Sequence, residues 1–235
     1  MKTEFEISKT RDYTSYDRDR KFWLSEHYYG ENADDKFQEA MQKVLHNLDV
    51  FMQSEWLEKV QHYFNTAKTV FVENPREKDF DGMKVNLYSI PALKDVNVMA
   101  APDFGVIFSD NKYLIIDRKT GQEKLDTDWV SDQLKIYALK LILKSRIDID
   151  KVDIEWYEVY LPSLHQRGGK ITKTDIDAII EQLKEDVEFQ KQFLVDGDIF
   201  KNNPLPHGDF PRTKSEKKCA SCTFRKVCEE LKNFE

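Results

Sequence analysis

Apolar residues recur at helical steps through the first third of the chain. In FQEAMQKVLHNLDVFM, residues Phe37, Met41, Val44, Leu45, Leu48 and Met52 fall three or four apart, which predicts an amphipathic helix. SEWLEKVQHYF continues the period, with Ser54 placed as its N-cap. NPREKDFDG, from Asn74, ends it with proline, charge and glycine. The period then shortens to two. Residues 83–90, 97–108, 112–117 and 152–161 read as strands, and Ser109-Asp110-Asn111 reads as the turn joining two of them. In IEWYEVYL, Ile154, Trp156, Glu158 and Tyr160 lie on one face, opposite Glu155, Tyr157, Val159 and Leu161. Between strands, DWVSDQLKIYALKLIL places Val130, Leu134, Ala138 and Leu141 on one helical face. Residues 165–170, with Gly168-Gly169, read as a turn. Thr174 and Asp177 then resemble a capping box, opening a helix with Ile176, Ile179, Ile180, Leu183 and Val187 inward. The expected class is α/β: a mixed central sheet flanked by helices, with helical segments at both ends.

The chain has 235 residues, 40% of them hydrophobic, enough for one sizeable core, so a single domain spanning 1–235 is expected. Within it, 1–70 forms a helical N-terminal part, 80–200 the core, and 201–235 a C-terminal part carrying the cysteines. The formal net charge of -7 argues against a basic field over the whole molecule, while leaving room for a local groove that binds nucleic acid through metal ions. No apolar stretch approaches the roughly 18 residues of a membrane span, and the charged start MKTEFEISKTRDYTSYDRDRK carries no signal-peptide apolar segment. No membrane partner and a cytoplasmic location are therefore expected. All three cysteines, Cys219, Cys222 and Cys228, cluster near the C-terminus, a spacing that favours metal ligation over disulfides.

KYLIIDRKTG carries charge out of an apolar strand, and alternation puts Asp117 and Lys119 on one side. The preceding hairpin can bring Asp103, in APDF, near Asp117. Two converging carboxylates repel unless a divalent cation neutralises them, and Mg²⁺ or Mn²⁺ suits carboxylate, carbonyl and water oxygens. An ammonium beside such a metal can orient water or offset charge in phosphodiester hydrolysis. The same residues also fit an edge strand with a surface Asp117–Lys119 ion pair. Gln133 and Tyr137, four apart on the following helix, share a face and can hydrogen-bond a phosphate. A solvated polar face with a packed tyrosine is the plainer reading of that pair.

PDF, then YLIIDRKTG, then DWVSDQLKIYAL resemble the core of PD-(D/E)xK nucleases of the RecB and AddB type, a group that includes the iron-sulfur exonucleases of CRISPR adaptation. The resemblance implies a restriction-endonuclease-like fold, with 80–200 as the nuclease core. It implies an active site of Asp103, Asp117, Lys119, Gln133 and Tyr137, with Asp103, Asp117 and the Arg118 carbonyl as metal ligands for Mg or Mn. Cys219-x2-Cys222-x5-Cys228 is similar to the C-terminal half of a 4Fe-4S site that joins the two chain ends. The family's fourth cysteine is absent; Asp17, Asp19, His27 or His207 are candidates for that position, and zinc is the rival occupant. The family's early metal-binding histidine is also missing: Phe37 stands in its place, with Glu39 as a substitute. The expected partner is DNA, single-stranded or with free ends, with phenylalanine, tryptophan and tyrosine at positions 22, 23 and 29 as a stacking surface among Arg18, Arg20 and Lys21. The expected activity is a metal-dependent deoxyribonuclease serving repair, recombination, phage DNA processing or CRISPR adaptation, with a protein partner in a recombination or CRISPR complex. A catalytically silent DNA-binding subunit and a zinc-stapled interaction protein are the alternatives.

Overall fold

The computed structural model describes residues 34–72, 84–121, 123, 129–210, 213–220 and 222. The 20–24 aromatic stretch, the break from Asn74, Asp17, Asp19, His27 and Cys228 lie outside the described residues. The chain divides into two compact units, one of Leu45–Leu205 and one of the terminal stretches Met1–Val44 and Pro206–Glu235.

In chain order, the helices are α1 (Asp34–Met52), α2 (Glu55–Thr66), α3 (Asp132–Ser145), α4 (Lys173–Lys191) and α5 (Glu216–Ala220). The strands are β1 (Thr69–Val72), β2 (Lys84–Asn86), β3 (Asn97–Met99), β4 (Phe104–Ser109), β5 (Lys112–Lys119), β6 (Asp153–Tyr160) and β7 (His165–Lys170). The main sheet runs β1-β4-β5-β6-β7, and β2 with β3 forms a separate pair. Every pairing in the main sheet is antiparallel except β5 with β6. A parallel neighbour needs a crossover, and α3 lies in that connection.

Strand β5 is central, and its YLII run is buried on both faces, as a strand covered from both sides requires. Tyr113 and Ile115 join Ile154 and Trp156 of β6 in one core, closed by Leu134 and Ala138 of α3 and Ile176 and Ile179 of α4. On the other face Leu114, Ile116 and Val159 pack with Phe104, Val106 and Trp56 of α2. Asp117 and Lys119 continue the parity of Tyr113 and Ile115, so they emerge on the α3 side at the strand's C-terminal end.

Several local expectations are corrected. Residues 97–108 are two strands: β3 pairs with β2, and β4 pairs with β5. The chain leaves the ladder between them at Ala100–Asp103, where Pro102 has no N–H to donate. The expected strand over 83–90 is shortened to β2 and followed by a 3-10 turn, Pro91–Leu93. Residues 165–170 are not a turn; they are edge strand β7, paired with β6 along its length. A Cβ at Gly168 would stand 2.3 Å from the Tyr157 ring and one at Gly169 3.3 Å from the Trp156 ring, so these glycines mark a close approach. The turn itself falls at residues 161–164, with Leu164 at φ 56°. The capping box of α4 is formed by Thr172 and Asp175, since the Ile171 N–H still bonds Ile154 in the sheet and keeps the chain extended to that point. Ser54 does sit at the N-cap of α2, but its hydroxyl donates to Phe51 O at 2.7 Å. The apolar stripe of α1 forms at the expected steps, yet Met41, Val44, Leu45, Leu48 and Met52 are all exposed.

Candidate active site

Asp103 lies in the break before β4, and its Oδ2 accepts from the Arg118 backbone N–H at 2.7 Å. This fixes one carboxylate beside the end of β5. The edge it occupies follows from the ladder. Asn111 O and Lys119 O accept from Asp153 N–H and Leu161 N–H, so odd-numbered residues of β5 turn their peptide groups toward β6. Arg118 therefore turns both its N–H and its C=O toward the other edge, where Asp103 sits. The Lys140 ammonium, on α3, donates to Ala100 O at 2.6 Å and pins the start of the same loop.

Asp117 is 2% exposed and forms an ion pair with Lys119. From there a polar chain runs onto α3. The Lys119 Nζ donates to Gln133 Oε1 at 2.6 Å, and the Gln133 Nε2 donates to Tyr137 Oη at 2.6 Å. The one-turn spacing of Gln133 and Tyr137 makes that second bond possible. The structure thus brings Asp103, Asp117, Lys119, Gln133 and Tyr137 together at one end of the sheet. Burial pushes the Asp117 carboxyl above the usual carboxylate range; Lys119 opposes this, and the nearby Asp103 and Glu158 carboxylates add to it.

Glu158 belongs to this site and was not singled out from the sequence. It is 1% exposed and stands directly across from Asp117 in the parallel register. On its other side it faces Arg167 of β7, whose Nε and Nη2 both lie 2.6 Å from Glu158 Oε2. The row Asp117, Glu158, Arg167 crosses three strands, with Lys119, Tyr160 and His165 in the next row along. The sequence carried a signal: a carboxylate at the parity of Ile154 and Trp156, both core positions. Reading it required knowing which strand lies beside β6.

A profile of the PD-(D/E)XK nuclease superfamily matches residues 16–229. The chain belongs to that superfamily. No curated protein matches it in a sequence comparison. Membership makes the chain a nuclease, a hydrolase of phosphodiester bonds, and the mixed sheet flanked by helices fits the restriction-endonuclease-like fold of the superfamily. No helix among the described residues is long and apolar enough to cross a membrane.

PD-(D/E)XK nucleases generally use Mg²⁺ or Mn²⁺, and the residues here fit such an ion. Asp117 Oδ2 is buried and paired with the Lys119 ammonium, and the Asp103 and Glu158 carboxylates close by leave the site with more negative than positive charge. A buried carboxylate in that condition gains from a cation. Among the described residues no group of three or more His, Cys, Asp or Glu side chains is arranged to hold a metal. Asp103, Asp117 and the Arg118 carbonyl would hold such an ion together with water, a set that suits an ion retaining several waters.

Of the cysteines, Cys219 lies on α5 and is exposed, while Cys222 is half-buried. The Cys222 N–H bonds Cys219 O at 3.1 Å, which folds the Cys-x2-Cys segment into one turn. His207 lies in a 3-10 turn, His207–Asp209.

Proposed function

We propose that the chain is a metal-dependent deoxyribonuclease of the RecB and AddB type, acting on single strands or free DNA ends. The observation that carries this reading is the convergence of Asp103, buried Asp117 and Lys119 at the end of β5. Asp103, Asp117 and the Arg118 carbonyl would hold Mg²⁺ or Mn²⁺, which when bound supplies Lewis acidity to the phosphodiester and to the attacking water. The Lys119 ammonium offsets negative charge that develops on the phosphoryl oxygens. Gln133 keeps that ammonium aimed by accepting a hydrogen bond from it, and Tyr137 in turn holds the Gln133 amide. The deep seat of Asp117 supports placing hydrolysis here, since fixed charges act more strongly where water is excluded.

Labelled single- and double-stranded oligonucleotides with Mn²⁺ test the reading, comparing the intact chain with Asp117→Ala and Lys119→Ala. Cleavage by the intact chain and its loss in both variants is expected. Binding without cleavage would favour a silent DNA-binding subunit.

The Cys219, Cys222 and Cys228 spacing supports a 4Fe-4S cluster, with zinc as the alternative and a non-cysteine ligand completing the set. Absorbance near about 400 nm in freshly purified protein separates iron-sulfur from colourless zinc. A role in repair, recombination, phage DNA processing or CRISPR adaptation, with a protein partner, follows from the same resemblance.

A further inference from the structure

Trp129 is 53% exposed, an unusual state for the largest apolar side chain, and it sits four residues before Gln133. It is also held from below. Its carbonyl accepts from Arg167 Nη1 at 3.2 Å, and the Arg167 guanidinium carbon lies 5.9 Å from its ring centre. The same guanidinium lies 5.5 Å from the ring of buried Trp156 and is ion-paired with Glu158. Glu158 is the register neighbour of Asp117. One continuous set of contacts therefore runs from the candidate catalytic carboxylate, across two strands, to an aromatic ring presented to solvent.

We propose that Trp129 is the platform on which a base of a single nucleic-acid strand stacks when its phosphate occupies the Asp103–Asp117 site. Every base offers a π-face, so stacking holds a strand without reading its sequence, as an end-processing nuclease needs. Arg167 supplies the rigidity. Ion-paired with Glu158, near both indole rings and bonded to the Trp129 carbonyl, it fixes the Trp129 backbone before the strand arrives, so little ordering remains for binding to offset. The surface expected from positions 22, 23 and 29 lies outside the described residues. The proposal rests on the nuclease reading, and the two fail differently.

The test measures binding of fluorescein-labelled oligothymidylate to the full chain in calcium, for the wild type, Trp129→Ala and Trp129→Phe. A second set of strands carries a single abasic residue moved one position at a time. Trp129→Ala is expected to weaken binding about fivefold or more, the equivalent of one stacked base, with Trp129→Phe in between. The wild type loses affinity at one abasic position, and Trp129→Ala shows no loss there. Equal binding by wild type and Trp129→Ala, or an abasic profile that the substitution leaves intact, overturns the proposal. Melting temperatures of the variants guard against misfolding, and in that event the abasic profile of the wild type and Trp129→Phe decides. Hydrolysis of bis(4-nitrophenyl) phosphate by the wild type reports on the nuclease separately, because that ester has no base. A wild type inert to it and to DNA, yet with a Trp129-dependent abasic profile, overturns the nuclease and leaves the platform.

Discussion

Asp117 is held at a cost. Its carboxyl is pushed up chiefly by burial, so the folded chain holds that proton more tightly than the unfolded chain does. Ionising Asp117 therefore subtracts stability. The penalty is absent below the unfolded carboxylate value of about 3.9 and is fully present above the raised folded value. In metal-free protein Asp117→Asn should melt higher than the wild type at pH 7, and that advantage should shrink toward pH 4. Saturating Mn²⁺ should reverse the order by stabilising only the wild type. Melting curves across pH, with and without Mn²⁺, check this; parallel curves for the two proteins would remove burial as the dominant influence. Gln133 touches Lys119 but no metal donor, so Gln133→Leu should act through the aim of the ammonium. A misplacement of about 1 Å can cost about 100-fold in turnover, and strand affinity should stay within a few-fold. Steady-state kinetics separates the two, and a variant that loses affinity instead of turnover would make Gln133 a phosphate contact. In the sequence, strand alternation relates Asp117 to Lys119 and one helical turn relates Gln133 to Tyr137, while joining these pairs with Asp103 into one site came from the resemblance to PD-(D/E)xK nucleases. Glu158, Arg167 and Trp129 were not legible, since their relation to Asp117 depends on pairing between segments about 40 residues or more apart in one case and on an edge strand hidden by glycines in the other.

Strand β7 shows how an element escapes the pattern. HQRGGK has no apolar alternation and two adjacent glycines, the usual signature of a turn. What makes it a strand is β6: the Tyr157 and Trp156 rings fold over the glycine backbone and replace the side chains that β7 lacks. A methyl group at Gly168 would stand 2.3 Å from the Tyr157 ring and 2.7 Å from Trp156 O. Gly168→Ala should cost about 1–3 kcal/mol through overpacking, or about 2–4 °C of melting temperature per kcal/mol in a chain of this size. Because Gly168 adjoins Arg167, the same variant should loosen the anchor under Trp129. Gly121→Ala, where nothing lies within 4 Å, should stay within about 0.5 kcal/mol. Thermal melts of the two variants decide; equal melting temperatures would mean that the rings move aside freely. Helices α3 and α4 were legible as helices for the opposite reason: their 3.6 period is long and each buries one face, though Val130 precedes α3 and the α4 cap lies two residues earlier than expected. The split of 97–108 was missed because periodicity cannot show which of two sheets a residue joins.

At the scale of the molecule, the division into Leu45–Leu205 and the terminal stretches separates the two proposed metal sites. Asp103 and Asp117 lie in the first unit and the cysteines in the second. The first unit has cores on both faces of its sheet, so its fold should survive a chelator. A catalytic ion there adds stability only through mass action, about 2.7 kcal/mol at 100 times its dissociation constant. The second unit holds Cys219 and Cys222, and a structural metal site there, as proposed, would contribute folding energy directly. Calorimetry of the full chain should therefore resolve two transitions. Mn²⁺ should raise only the one belonging to Leu45–Leu205, and Asp117→Asn should abolish that rise. Cys222→Ser should lower only the other. If each perturbation moves a single shared transition, the two units fold as one cooperative body and the cysteines support the nuclease core itself. The net charge of -7 bears on the same experiment, because on the proposed reading a divalent ion bound at Asp103 and Asp117 would add to the electrostatic attraction for a phosphate. Strand affinity measured alongside should then rise with Mn²⁺ in the wild type and stay flat in Asp117→Asn.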